Sequence, residues 1–167
     1  VSGVGDVNGD GFDDFLIGAY SNDEGGMTTG QTYLILGRSG GWSMDTNLSL
    51  SNASFIGENL GDYSGGSVSG VGDVNGDGFD DFIIGAYGDE DGGGAYAGQT
   101  YLILGRSSGW SMDTDLSLSN ASFIGEATFD SSGDSVSGVG DVNGDGFDDF
   151  LIGAYSNDEG GMTTGQT

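Results

Sequence analysis

The sequence predicts an all-β fold in which short antiparallel strands form tandem units of four strands each. The first observation is composition: 37 glycines and no proline in 167 residues favour many tight turns over long helices. The second is an internal repeat of about 67 residues, and the third is that the apolar runs are short and bounded by glycine. These features are typical of an array of small β-units.

The repeat is an alternating pair. Residues 1–67 align with residues 68–135, and residues 136–167 are identical to residues 1–32. The second copy differs from the first at several positions, for example Ile83 in place of Leu16. The predicted organisation is therefore blade repeat 1 at 1–67, blade repeat 2 at 68–135, and the first half of a third repeat at 136–167.

Four strands are expected in each unit, at residues 67–71, 79–87, 99–105 and 121–126 of the second repeat. A unit of this kind cannot bury its faces alone, so the pattern predicts either a β-propeller blade or a β-solenoid coil stacked on its neighbours. Two and a half blades do not close a ring. The array is expected to be open, to close with other chains, or to be an excerpt of a longer protein.

One acidic stretch recurs with the same letters at residues 6–14, 73–81 and 141–149. Oxygen-bearing side chains stand at positions one, three, five and nine of each copy, a pattern typical of a loop around a hard divalent cation. One Ca²⁺ is expected in each of the three loops. The predicted ligands, with a backbone carbonyl at each phenylalanine, are Asp6, Asn8, Asp10, Phe12 and Asp14, then Asp73, Asn75, Asp77, Phe79 and Asp81, then Asp141, Asn143, Asp145, Phe147 and Asp149.

The neighbouring positions define the loop further. A helix-loop-helix calcium hand needs glutamate at position twelve, where this chain has Ile17, Ile84 and Ile152, so that class is excluded. The loop instead leads into a strand and connects a hairpin. The aspartates at position eight are expected to point away from the ion, because side chains alternate along a strand.

The charge restricts the partners. Twenty-seven acidic residues against two arginines give a net charge of −25, which argues against nucleic acid and anionic membrane surfaces. There is no cysteine for disulfides, no apolar run long enough for a membrane span, and no signal peptide in the first residues. With no His, Cys or Lys, the usual pairings of nucleophile and base are missing, and the protein is not expected to be an enzyme.

Three smaller features have more than one interpretation. Trp42 and Trp110 either pack between blades, which is the favoured interpretation, or form a sugar-stacking platform. Arg38 and Arg106, the only basic side chains, are expected to be structural partners of carboxylates or carbonyls. Three Asn-X-Ser sequons, which begin at residues 47, 52 and 120, are either polar turns or glycan acceptors.

The chain resembles the FG-GAP, or integrin-alpha-type, β-propeller repeats, particularly those of bacterial surface and secreted proteins. The resemblance rests on residues 5–19 (Gly-Asp-Val-Asn-Gly-Asp-Gly-Phe-Asp-Asp-Phe-Leu-Ile-Gly-Ala), residues 30–37 and residues 55–58, and it covers essentially the whole chain. It implies that the acidic loop joins the first two strands of a blade and binds calcium. Two motifs differ: Phe-Gly is replaced by Val-Ser-Gly, and Gly-Ala-Pro by Gly-Ala-Tyr.

The expected function is that of a calcium-stabilised extracellular structural protein, at a surface or in a filament, whose partners are neighbouring copies of the same repeat. The alternative is an adhesion module with a closed integrin-like propeller that binds a protein or a glycan.

Overall fold

A computed structural model describes residues 1–158 of the chain; residues 159–167 of the predicted third repeat lie outside the described part. The prediction of an all-β fold is confirmed. Two short 3-10 turns, at Leu48–Leu50 and Leu116–Leu118, are the only helical elements within residues 1–158, and no helix there is long and apolar enough to cross a membrane. The strands are β1 Ser2–Gly5, β2 Asp14–Ala19, β3 Gln31–Ile35, β4 Ala53–Ile56, β5 Ser67–Gly72, β6 Asp81–Ala86, β7 Gln99–Ile103, β8 Thr114–Asp115, β9 Ala121–Ile124, β10 Ser132–Gly140 and β11 Asp149–Ala154.

The strands form three sheets that follow the repeat. The first has the order β1-β2-β3-β4-β8, the second β5-β6-β7-β9, and the third contains β10 and β11. Neighbours in each sheet are antiparallel, except that β8 runs parallel to β4. The pairing has the same register in the first two repeats: Ile17 faces Tyr33, and Ile84 faces Tyr101. Within residues 1–158 the sheets form no closed barrel, which agrees with open propeller-type blades. The repeat boundaries themselves stay a prediction.

The larger of two hydrophobic clusters crosses from the first repeat to the second. Leu16, Leu34 and Phe55 of the first repeat cluster with Phe82 and Tyr101 of the second. Every residue of β6 is buried, because that strand lies in the middle blade with a neighbour on each side. The apolar side chains are therefore covered by the neighbouring repeat as well as by their own, which is the behaviour of a stacked array.

The connection between β7 and β9 forms a fifth strand on the preceding blade, which the sequence prediction of four strands per blade did not include. Thr114 pairs with Phe55 of β4, and the backbone N–H of Ser54 donates to the carbonyl of Ser111 over 3.2 Å. The Asp113 carboxylate accepts a hydrogen bond from the Ser54 hydroxyl over 2.9 Å. This two-residue strand has no apolar alternation of its own, so its pairing depends on the partner strand.

The tryptophan and arginine side chains form two equivalent pairs. The Arg106 guanidinium lies 4.5 Å from the Trp110 ring centre, and Arg38 lies 4.3 Å from Trp42. The expectation that the arginines are partners of carboxylates or carbonyls is wrong, because the ring faces of the tryptophans attract the cations instead. Trp110 also contacts Phe55 of the first repeat, with ring centres 6.4 Å apart, so its predicted role in packing between blades is confirmed.

Candidate metal centre

Each acidic loop connects the first two strands of a sheet. The first loop leaves β1 at Gly5 and enters β2 at Asp14, and these two residues pair across the hairpin. The second loop joins β5 to β6 and the third joins β10 to β11 in the same way, so the predicted hairpin is confirmed. The pairing shifts by one residue just before the loop, at the position of Gly5. This β-bulge bends the strand into the turn.

The side chains of the loop hold its own backbone. In the first copy, Asp6 accepts hydrogen bonds from the N–H groups of Asp10 and Gly11, over 3.0 and 2.8 Å. Asn8 also accepts from Asp10, over 2.9 Å, and Asp10 accepts from Phe12 over 3.0 Å. The same bonds occur in the second and third copies. Identical sequences therefore give three loops of the same shape.

In the first two repeats the aspartate at position nine is buried at the base of the loop, whereas Asp149 in the third is partly exposed. Asp14 accepts hydrogen bonds from the N–H of Val7 over 3.0 Å and from the N–H of Gly37 over 2.7 Å. It is only 2% exposed, and Asp81 in the second repeat is fully buried with two equivalent bonds. This residue therefore ties the loop to the end of the third strand of its blade.

The electrostatics differ between the top and the base of the loop. At the base, burial raises the pKa of Asp81 to about 6, backbone hydrogen bonds act against the rise, and the charges of Asp77 and Asp73 add to it. In the third loop, backbone N–H groups, first that of Gly146, lower the pKa of Asp141. Ionised carboxylates thus surround a buried carboxylate, and a bound cation would offset their mutual repulsion.

The donor set fits a hard cation. All of the predicted ligand atoms are oxygens, and the sequence contains no histidine or cysteine to favour a softer metal. No group of three or more acidic side chains within residues 1–158 already has the arrangement of a metal site. The carboxylates of the loops are engaged instead with backbone N–H groups. The ligand assignments, including the backbone carbonyls of Phe12, Phe79 and Phe147, stay a prediction.

The aspartates at position eight have a role that the sequence did not reveal. They were expected only to point away from the ion. Asp80 accepts a hydrogen bond from the N–H of Asp6 in the preceding loop over 2.8 Å, and Asp148 accepts from the N–H of Asp73 over 3.1 Å. Asp13, the equivalent residue of the first loop, is exposed. A comparison of single repeats cannot find a contact that forms only between repeats.

A second acidic group lies where the first repeat meets the second. The buried Asp89 carboxyl is hydrogen-bonded by Tyr101 and by Asp62, so two carboxyl groups are in direct contact. Burial is the main cause that raises the pKa of Asp62 to about 7; the N–H of Asn59 acts against the rise, and the charge of Asp89 adds to it. At the next junction the equivalent pair is an amide and an acid, since Asn157 donates to Asp130 over 3.2 Å.

Asp89→Asn is expected to reduce the dependence of stability on pH. The pKa of Asp62 is higher in the folded state than its ordinary value of 3.8, so its stabilising contribution is complete below about pH 4 and is lost as the pH rises through 7. Asparagine, the residue at the equivalent positions 22 and 157, removes the repulsion. The variant should be more stable than the original at pH 8, by on the order of 1 to 3 kcal/mol, and the difference should shrink at pH 5. Urea unfolding at both pH values measures it. Asp13→Asn, at an exposed position outside this acidic group, is the control of equal charge.

A comparison with known protein families matches the segments that contain the acidic loops. The profile of the FG-GAP repeat family matches residues 1–35, 64–103 and 132–166. These segments contain the three acidic loops with the strands on either side of them. The chain belongs to the FG-GAP repeat family. The resemblance inferred from the sequence is therefore confirmed.

The relatives of these FG-GAP repeats include integrin alpha chains. Integrin alpha-PS2 of Drosophila melanogaster is 32% identical over 160 residues, which cover 92% of this chain and 11% of the integrin. Integrin alpha-IIb of Mus musculus is 32% identical over 157 residues, which cover 91% of the chain and 14% of the integrin. Integrin alpha-4 of Xenopus laevis is 29% identical over 154 residues, which cover 92% of the chain and 14% of the integrin. The chain thus spans a small part of the length of the relatives that it matches.

Proposed function

We propose that the chain is a non-enzymatic, calcium-stabilised structural module of an extracellular array, in which each acidic loop binds one Ca²⁺ and fixes the hairpin of its blade. Residues Asp6, Asn8, Asp10 and Asp14, with the Phe12 carbonyl, would hold the ion in the first loop, and their equivalents would do so in the other two. The ion would supply positive charge to a protein whose net charge is −25. Calcium at the millimolar level found outside cells would suffice for sites of roughly 10⁻⁴ to 10⁻³ M affinity.

The observation that carries this proposal is the position of the loops. Each of the first two loops is continuous with a strand that packs against a neighbouring repeat, and a buried aspartate joins the loop to that strand. A cation at this position would act on the packing between blades as well as on the loop. Such a role would be structural, because the ion would hold the hairpin and its neighbouring blade in place.

The adhesion module is the second candidate, and the integrin alpha relatives favour it. In that case a closed ring of blades would present its connecting loops to a protein or a glycan. The two candidates share the calcium sites and differ in assembly. Electron microscopy in calcium separates them: extended particles of blades support the array, whereas discrete rings that bind a partner support the adhesion module.

Calcium stoichiometry tests the shared part of the proposal. Equilibrium dialysis should give three ions per chain, and Asp77→Ala should reduce the value to two. Asp91→Ala, which removes one carboxylate outside the loops, is the matched control and should leave three. A chain that binds no calcium in the millimolar range would refute the proposed function, and an unchanged stoichiometry in the Asp77 variant would show that the ligands are misassigned.

A further inference from the structure

We propose that Asp80 and Asp148 position the preceding acidic loop and couple cation binding between adjacent loops. The inference rests on the proposed function for the identity of the ligand, but the positioning itself follows from contacts between the repeats. It adds two positioning residues that are not themselves ligands.

Two reciprocal hydrogen bonds join the first loop to the second. The N–H of Asp6 donates to the Asp80 carboxylate over 2.8 Å, and the N–H of Asp80 donates to the carbonyl of Asp6 over 3.4 Å. The second and third loops repeat the arrangement, with 3.1 Å from Asp73 to the Asp148 carboxylate and 3.2 Å in the return direction. The first predicted ligand of each of the first two loops therefore has its backbone fixed by the next repeat.

Packing reinforces the link. The ring of Phe79 lies against Gly9 of the first loop so closely that a Cβ on this glycine would be 2.7 Å from the Phe79 Cε1 atom. Phe147 lies against Gly76 with the same distance. Gly5 has a positive φ of 70°, and a Cβ there would collide with the Asp80 carboxylate. The glycines at these positions thus leave room for the side chains of the following loop.

Asp80 is covalently adjacent to two predicted ligands of the second loop, which explains how the two loops would be coupled. Asp80 stands between the Phe79 carbonyl and Asp81, both predicted ligands of the second loop, and its side chain ends on the first loop. An ion that orders residues 79–81 would also order the Asp80 carboxylate and, through it, the backbone of Asp6. By linkage, the effect must be equal in the opposite direction.

The chain contains its own control. Asp13 holds the same position in the first loop and is exposed, and its carboxylate contacts no other loop within residues 1–158. Asp13→Ala and Asp80→Ala remove the same charge from the same place in a loop. A general electrostatic effect would therefore appear in both variants, whereas positioning of the preceding loop would appear only in the second.

The experiment is a calcium titration of the full chain followed by NMR at the glycine amides of each loop, Gly11, Gly78 and Gly146. Asp80→Ala should weaken binding at the first loop by at least about fivefold relative to Asp13→Ala, and it should leave the third loop unchanged within about twofold. Asp148→Ala should weaken the second loop instead. In the metal-free chain, Asp80→Ala should also accelerate hydrogen exchange at the N–H of Asp6.

A second comparison isolates the coupling from the positioning. Asp77→Ala removes a predicted ligand of the second loop, and introduced alone it should reduce the calcium affinity of the first loop. Introduced together with Asp80→Ala, it should cause no further loss of affinity at the first loop. Equal affinities of the first loop in the Asp80 and Asp13 variants would overturn the inference while leaving the calcium function intact. A chain whose loops bind no calcium would overturn both.

Discussion

Removal of calcium should lower the melting temperature of the chain by about 10 to 30 °C. At 10 mM Ca²⁺, three sites of roughly 10⁻⁴ to 10⁻³ M affinity would together stabilise the folded state by about 4 to 8 kcal/mol before coupling between the loops is added. For a chain of this size, 1 kcal/mol corresponds to about 2 to 4 °C. Calorimetry in 10 mM Ca²⁺ and in excess EDTA measures the change, and NaCl at matched ionic strength controls for screening of the net charge. Equal melting temperatures in calcium and EDTA would contradict the prediction.

Replacing Asp10, Asp77 and Asp145 with Asn should change the stability of the chain in opposite directions in EDTA and in calcium. In the structure, Oδ1 of each of these aspartates accepts the N–H two residues later, and asparagine keeps that acceptor while removing the charge. The bond lost in the first two loops is an exposed one, from the side-chain amide two residues earlier to Oδ2. In EDTA the triple variant should therefore be at least as stable as the original, because repulsion within each loop falls. In calcium it should be less stable, because each site loses a charged ligand. A variant that is less stable under both conditions would show that the aspartates act through the loop backbone alone.

The sequence was sufficient to predict the hairpins. Alternation and glycine boundaries located the four main strands of a repeat, because these strands satisfy their hydrogen bonds with neighbours inside the same unit. The acidic loop was recognisable because its oxygen-bearing side chains and its glycines all lie within nine consecutive residues. Local rules are sufficient wherever the partners of a residue lie within its own repeat.

The sequence did not reveal the contacts between repeats. The short strand β8 pairs with β4 of the preceding blade, Asp80 bonds to Asp6, and Asp62 contacts Asp89. None of these pairs leaves a periodic signal, since each joins positions in different repeats. The alternation of Asp89 with asparagine at positions 22 and 157 was one available sign that the junctions differ.

Phe82→Ala should have the largest effect of any single core substitution, about 3 to 5 kcal/mol of the free energy of unfolding. The Phe82 side chain is fully buried. Its ring is 5.5 Å from Phe55 of the first repeat in an edge-on contact, and 6.1 Å from Trp110 in a stacked contact. The substitution therefore removes packing within the second blade and between the two blades at once. Urea unfolding of both proteins measures the loss.

Phe15→Ala is the matched control, because Phe15 holds the same position in the first repeat. It is half-buried and contacts Trp42 with ring centres 6.0 Å apart, so its removal exposes less new surface. Its cost should be below about 2 kcal/mol. Equal losses in the two variants would mean that the packing between blades contributes little and that each blade is stabilised on its own.

Phe82 also links the core to the metal loop, since it directly follows Asp81 in the chain. Asp81 is held by the N–H groups of Val74 and Gly105, and the next side chain fixes the same strand against the first repeat. Loss of that anchor should lower the calcium affinity of the second loop more than that of the third. If calcium binding is unchanged in Phe82→Ala while stability falls, then the loops bind calcium independently of the core between the blades.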